Sequence, residues 1–427
     1  MRRVGLILLV ISLFAQTAVA IFLLEIRDFD LNEQGDTEEY IGIADNIIDG
    51  RGYSAELEPP WRPTGSRSPG MLITNVPLRL LFADNDSLAL AFGKIMFVLI
   101  VALFFIVARY FEESDLAIFV VVAFTLIPSV VYYMINSYAS NPPYLLAFVI
   151  IYVGMVLLMQ SRNYIAVLLM LVGAMYAMST RPAALFPLVG LGMAGLVGGW
   201  LVKDRKLRRK VLIIGATVLL GTSITYLTWS YRNYREFGSF QYSTVGGFNL
   251  LHFNVKEMMP YLSESGKQAV EDALDAHPIY IHTYHGEDQF EIADEQGAAA
   301  VELIKEYPLA FFSSHVIGTL RGFFLFEVAQ LDQVLGKGPS YVAALYQTLL
   351  TIAAAYGLII KFNTLDNSRK AVLLLMLTTG LVNVLSGGAL SRPKYRIPLE
   401  PVVALGLFFF VKDYVAVKFL PQQADSG

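Results

Sequence analysis

Between Asp36 and Tyr40 the chain reads Asp-Thr-Glu-Glu-Tyr, just beyond an apolar run that ends at Leu24. Carboxylates held that close to a bilayer surface do chemistry or bind a charged ligand, because idle charge there is costly. Asp36 also has a purely structural reading. Ile41, Ala44, Ile47 and Ile48 form an apolar stripe at helical spacing, suited to a short helix lying along the membrane surface, and Asp36 would be its N-cap. A second set of groups is cationic: Arg67, Arg181, Arg232 and Arg396, with Lys394. A guanidinium stays charged and grips paired oxygens in a fork, so such groups suit a phosphate. Taken singly, each is equally readable as a snorkelling anchor for ordinary headgroups.

The elements that must position these groups follow from composition. Of 427 residues 55% are hydrophobic and only 16% charged, with a mean hydropathy of +0.54. A single water-soluble core of that make-up would leave apolar surface exposed, so the chain is expected to be all-α and to cross a membrane many times. With no cysteine, disulfides, thiolate metal sites and a cysteine nucleophile are excluded. Met-Arg-Arg and Ala18-Val-Ala20 mimic a cleavable secretory signal. The apolar run continues to Leu24, long enough to span, and an uncleaved anchor is expected.

Further runs of spanning length lie near 88–109, 116–134, 143–160, 163–179, 184–202, 210–230, 341–361, 370–388 and 397–416. Arg2 and Arg3, and the run Lys203 to Lys210, belong in the cytoplasm by the positive-inside rule. The stretch 25–87, with thirteen acidic and five basic residues and no Lys, then falls outside. Segment 309–329 is ambiguous: as a span it would carry His315, Arg321 and Glu327 at hydrocarbon depth. Placing it at the interface keeps Lys361, Arg369 and Lys370 inside and Arg392, Lys394 and Arg396 outside. About ten spans with both termini inside are therefore expected, with an interfacial helix near 305–330. The chain divides into 1–230, an N-terminal transmembrane module with the outer loop 25–87; 231–308, an extracytoplasmic segment expected to form a small α-rich or mixed cap; and 309–427, the interfacial helix and last spans.

Four segments carry a resemblance. They are 35–53 with Arg67-Ser-Pro-Gly70; Ser179-Thr-Arg-Pro182; Trp229-Ser-Tyr-Arg-Asn-Tyr-Arg-Glu-Phe-Gly238 with Ser243 to Asn249; and Arg392-Pro-Lys-Tyr-Arg-Ile-Pro398. In their order and common outer placement they resemble the GT-C glycosyltransferases, the superfamily of the lipid A aminoarabinose transferase and the protein O-mannosyltransferases. Those relatives carry an acid directly after the key Asp, where this chain has Thr37. The resemblance implies GT-C architecture in a plasma or inner membrane, with transfer of a sugar from a polyprenyl-phosphate carrier to a glycan, lipid or protein on the extracytoplasmic side. It implies inversion, with Asp36 as general base and Asp28, Asp30 and Glu39 as substitutes. Glu39, Tyr40, Arg67, Arg181, Arg232, Asn233, Lys394, Tyr395 and Arg396 would bind substrate, Arg396 being the best placed for the donor phosphate.

No resident cofactor is implied beyond the lipid-linked donor, and no metal ligand is assigned, although a divalent metal stays compatible. His282 and His285 share a helical spacing without a third ligand, and a polar surface is the simpler reading. Asn141-Pro-Pro143 reads as a helix start, and the glycines from Gly190 to Gly199 as close helix packing. Nothing suggests nucleic acid. The competing classes are a transporter or flippase of lipid-linked sugars, for which Lys94 and Arg321 are the internal charges, and a non-catalytic envelope assembly protein.

Overall fold

A helix that is apolar all round must be covered by lipid or by other helices, and this chain uses both. The computed structural model describes residues 2–21, 36–82, 86–134, 138–161, 163–277, 288–324 and 337–415. Every regular element among them is helical. In chain order they are α1 (Arg2–Ile21), α2 (Thr37–Ile48), α3 (Leu72–Phe82), α4 (Asp86–Phe111), α5 (Ala117–Thr125), α6 (Pro128–Tyr133), α7 (Asn141–Met159), α8 (Asn163–Thr180), α9 (Leu185–Leu201) and α10 (Arg205–Phe237). There follow α11 (Val245–Phe248), α12 (Glu264–Ala276), α13 (Gln289–Glu306), α14 (Pro308–Phe324), α15 (Lys337–Phe362), α16 (Asn367–Ser386) and α17 (Glu400–Phe410). Asp28, Asp30, His282, His285 and Glu327 lie outside the described residues.

Six of these stretches are long and apolar enough to cross a membrane: Ala91–Phe111, Asn141–Met159, Pro182–Leu201, Arg205–Phe237, Ser340–Phe362 and Asn367–Ser386. Apolar parts of α1 and α8 are shorter. Large apolar side chains such as Ile95, Leu168, Trp200, Leu345 and Ile359 point outward, as in a helical membrane protein. Two expected spans depart from single helices. The one at 116–134 breaks at Pro128, which has no N–H to give and holds Ile127 extended, so α5 and α6 are separate. The one at 397–416 begins as a 3₁₀ turn, Pro393–Leu399, containing Pro398. Its α-helical part, α17, has only 11 residues, and all of them up to Phe409 are buried among other helices.

Small residues set the close contacts inside the bundle. A Cβ on Gly195 of α9 would come 2.7 Å from the Cα of Gly215 of α10, which is the packing expected of the glycine-rich run. α10 has 33 residues and rises about 50 Å, against about 30 Å of hydrocarbon, so its last turns stand clear of an apolar layer. It starts on Asp204, whose carboxylate accepts from Leu207 N at 2.7 Å, and ends at left-handed Gly238.

Charged side chains gather at the two ends of the bundle. At one end Arg369 pairs with Glu113, Lys412 with Glu112 and Lys361 with Asp413. The other end carries α2, α3, the start of α7, the end of α8 and the 3₁₀ turn 393–399. Above it sits a cap with its own apolar centre of Leu251, Val255, Met258, Val270, Ala300, Leu303 and Ala310. α14 lies along this end. Ala310, Ser314, Gly318 and Gly322 face inward at four-residue spacing. Its first turn joins the cap centre, and Arg321 near its last reaches Glu257 of the cap and the carbonyl of Ala389. Over 308–324 it is therefore tied both to the cap and to the turn that precedes Pro393.

Candidate functional site

The first loop is shaped by paired side chains and two left-handed glycines. Asp36 occupies the N-cap position of α2, yet its carboxylate makes no capping hydrogen bond. It accepts instead from Arg67, which corrects the N-cap reading of its side chain. The apolar stripe also differs from expectation. Tyr40, Ile43 and Ala44 are buried while Ile48 is exposed, because α2 packs on α3 and its own loop. Arg79 of α3 forks Asp45 of α2 at 2.7 and 2.9 Å. Asn46 donates to the carbonyls of Ser54 and Glu56, closing the turn through Gly50 and Gly52, whose φ values of 74° and 90° favour glycine.

Arg67 is the centre of the arrangement. Its Nε and one terminal nitrogen fork Glu39 at 2.8 and 2.6 Å, and that same nitrogen donates to Asp36 Oδ1 at 3.0 Å. Its guanidinium lies 5.6 Å from the ring centre of buried Tyr40. Exposure is graded: 15% for the Arg67 side chain, 24% for Glu39 and 55% for Asp36. Arg67 is thus a fixed support and Asp36 the member that faces out. Asp36 Oδ2 accepts no hydrogen bond among the described residues. Thr37 is buried, so the second carboxylate of the site is Glu39.

Two further cations come from distant parts of the chain. Arg181, extended between α8 and the turn at Pro182, donates from Nε to Ser140 Oγ at 2.6 Å and from a terminal nitrogen to Asn141 Oδ1. It also lies over the Tyr144 ring. Lys394, in the 3₁₀ turn beside Tyr395, forms no ion pair among the described residues, and its ammonium is 5.7 Å from the Tyr395 ring centre. Both act on Asp36. Burial pushes the Asp36 carboxyl upward, but Arg67, Lys394 and Arg181 outweigh it and hold the group below its ordinary value of 3.8. Burial works against the charged form of Arg67 too, and the carboxylates of Asp36 and Glu39 more than reverse it. The Tyr40 phenol is pushed up by burial. At neutral pH the cluster is three cations, Arg67, Arg181 and Lys394, around two carboxylates.

Three expected ligands are engaged elsewhere. Arg232 donates to Thr64 O at 2.8 Å and lies among the rings of Tyr53, Trp229 and Phe237. Asn233, fully buried, donates to the carbonyls of Gln241 and Tyr242. Arg232 fastens the first loop to the end of α10, and Asn233 fastens the segment that follows α10. Arg396 needs the larger correction. Instead of being open to a donor phosphate it is 0% exposed, paired at 2.7 Å with Glu400, itself 0% exposed. Phe323 O and Thr351 Oγ1 take its other donors. The i, i+4 spacing with Glu400 was the available signal for this pair. Sequence reasoning also missed Ser140 and Asn141, which seat Arg181, and Gln289, which accepts from Gly65 N at 2.6 Å and donates to Pro63 O. The double proline after Asn141 marked a helix start without indicating a polar partner, and Gln289 carried no signal.

Among the described residues no group of three or more His, Cys, Asp or Glu is placed to hold a metal ion. What the arrangement can do is hold an anion against Lys394 and Arg181 while an ionised, solvent-facing carboxylate stands beside it. No family model matches the chain, and no curated protein matches it.

Proposed function

We propose that this protein is a membrane glycosyltransferase of GT-C architecture, transferring a sugar from a polyprenyl phosphate to an envelope acceptor at the extracytoplasmic face. One observation carries the reading. Three segments far apart in sequence bring an ionised, half-exposed carboxylate and two cations, Lys394 and Arg181, to one end of an apolar bundle. Transfer from a lipid-linked phosphate needs both parts: cations to hold the departing phosphate, and an acceptor for the hydroxyl proton. An ionised Asp36 is a weak base, but it can take the proton late, as the anomeric carbon becomes oxocarbenium-like. Lys394 forms no ion pair among the described residues and would hold the phosphate. Arg181 would add charge from its seat on Ser140 and Asn141, and Glu39 would keep Arg67 aligned. The donor arrives within the membrane, so no nucleotide cradle is needed.

The topology belongs to the same reading. Ten spans with both termini inside put Asp36 and Lys394 in one compartment, in keeping with their proximity; a crossing segment at 309–329 would separate them. A second reading, a transporter of lipid-linked sugars, draws on charge inside the bundle: the buried Arg396–Glu400 pair, and Lys94, whose buried ammonium has no hydrogen-bond partner among the described residues. Mass spectrometry of envelope glycolipids and glycoproteins from a deletion strain separates the two. Loss of one sugar from one acceptor, restored by the wild-type gene and not by Asp36→Asn, supports the transferase. Restoration by both supports the transporter.

A further inference from the structure

Lys394 lies between two residues that are both tied to α14. Upstream, the carbonyl of Ala389 accepts from Arg321 at 2.7 Å. Downstream, Arg396 donates to the carbonyl of Phe323. Arg321 and Phe323 are two positions apart on one helix, so α14 braces the stretch 389–396 at both ends with Lys394 inside it. The upstream turn is tightly made. Gly388 is left-handed, at φ 57°, and a Cβ there would come 2.5 Å from Asn254 Oδ1 and 2.6 Å from His315 Nε2. Asn254 Oδ1 accepts from Ala389 N at 3.1 Å. The same Arg321 nitrogen that holds Ala389 reaches Glu257 Oε2 at 3.0 Å, and Glu257 belongs to the cap. Arg321 therefore links the cap, α14 and the strip that presents Lys394.

We infer that Arg321 is a positioning residue for Lys394, fixing the site of the lysine ammonium through the carbonyl of Ala389. What Lys394 then holds, a lipid-borne phosphate, rests on the glycosyltransferase reading. The ion pair with Glu257 is not the main agent. Its partners are 42% and 38% exposed, and an exposed pair contributes little. The carbonyl bond is the constraining one: without it, besides the turn's own bonds from Ser391 to Gly388 and Val384 and that from Asn383 to the Tyr395 carbonyl, Ala389 itself keeps only the side-chain contact from Asn254, and Lys394 gains freedom that phosphate binding must remove. Arg321 is thereby also accounted for without a transport pathway.

The test uses the full chain in detergent, with undecaprenyl monophosphate as probe and neutral undecaprenol as control. Arg321→Ala should weaken binding of the phosphate by about 5- to 50-fold, within the range of coupled neighbouring groups, and leave undecaprenol binding unchanged. Arg321→Lys should recover part of the loss, since an ammonium still donates to Ala389 O. The Arg321→Ala/Lys394→Ala double variant should bind no more weakly than Lys394→Ala alone, because both act through one contact. Should Arg321→Ala fold poorly, Asn254→Ala removes the other hold on Ala389 and should give the same pattern. Unchanged phosphate binding in Lys394→Ala overturns the donor-site reading and this inference with it. Weakened binding in Lys394→Ala but not in Arg321→Ala or Asn254→Ala, or losses that multiply in the double variant, overturns this inference alone.

Discussion

Asp36→Asn separates chemistry from support at the cluster, because the structure makes its two costs very unequal. Asparagine keeps an oxygen for the Arg67 nitrogen now 3.0 Å from Oδ1, while the Glu39 fork continues to hold the guanidinium. No capping bond is lost, since the aspartate side chain makes none, and the backbone bond from Tyr40 N to Asp36 O is untouched. The charge removed is 55% exposed, so its pairing is worth less than about 1 kcal/mol. A proton acceptor, by contrast, contributes roughly 10² to 10⁴ in rate, or about 2.7 to 5.4 kcal/mol of barrier. Asp36→Asn should therefore insert, melt within about 2–4 °C of wild type, bind polyprenyl phosphate, and transfer sugar at least about a hundredfold more slowly. Asp36→Ala should behave alike, for want of a cap to lose. The measurements are thermal unfolding and single-turnover transfer in detergent, with donor and acceptor taken from the deletion-strain analysis. Transfer within a fewfold of wild type would refute Asp36 as base, and Glu39 would be tested next.

The remaining predictions concern the scaffold, the pH profile and the topology. Arg396→Ala strands Glu400 in the core, so it should cost roughly 3–5 kcal/mol in unfolding measurements; a normally stable variant would mean the pair is solvated in the membrane. Asp36 has a folded pKa below its unfolded value, so its contribution to stability is complete above the unfolded value and lost as pH falls through the folded one. The acid limb of the transfer rate should accordingly fall below pH 3.8, and an acid limb near pH 6 would assign the base elsewhere. In a chain without cysteine, a Cys replacing exposed Glu58 should label only from outside, and one replacing exposed Asn363 only from inside. Outside labelling at Asn363 would defeat the ten-span topology.

How much was legible in the sequence differs element by element. Spans such as Asn141–Met159 and Asn367–Ser386 are readable because lipid rewards long apolar runs whatever lies around them, and the glycines of α9 because only small residues let helices approach. Pro128 was equally visible, but whether a proline kinks a span or divides it depends on what packs at the break. The acidic Asp36 to Tyr40 run and the lone cations were visible as residue types. Their pairings, apart from that of Arg396 with Glu400 four residues on, were not.

Composition and periodicity alone determined an all-helical, membrane-embedded chain with its charge at the helix ends, since those properties depend on local hydrophobicity. Only the tertiary structure decided that Arg67 serves Glu39 and Asp36, that Arg232 and Asn233 brace loop segments, that Arg396 is sealed against Glu400, and that Lys394 forms no ion pair among the described residues. An isolated arginine in a sequence carries the same charge in all of these places. Apart from the Arg396–Glu400 pair at i, i+4, which oxygen it meets is fixed by contacts between segments dozens to hundreds of residues apart, and such contacts leave no local periodicity to read.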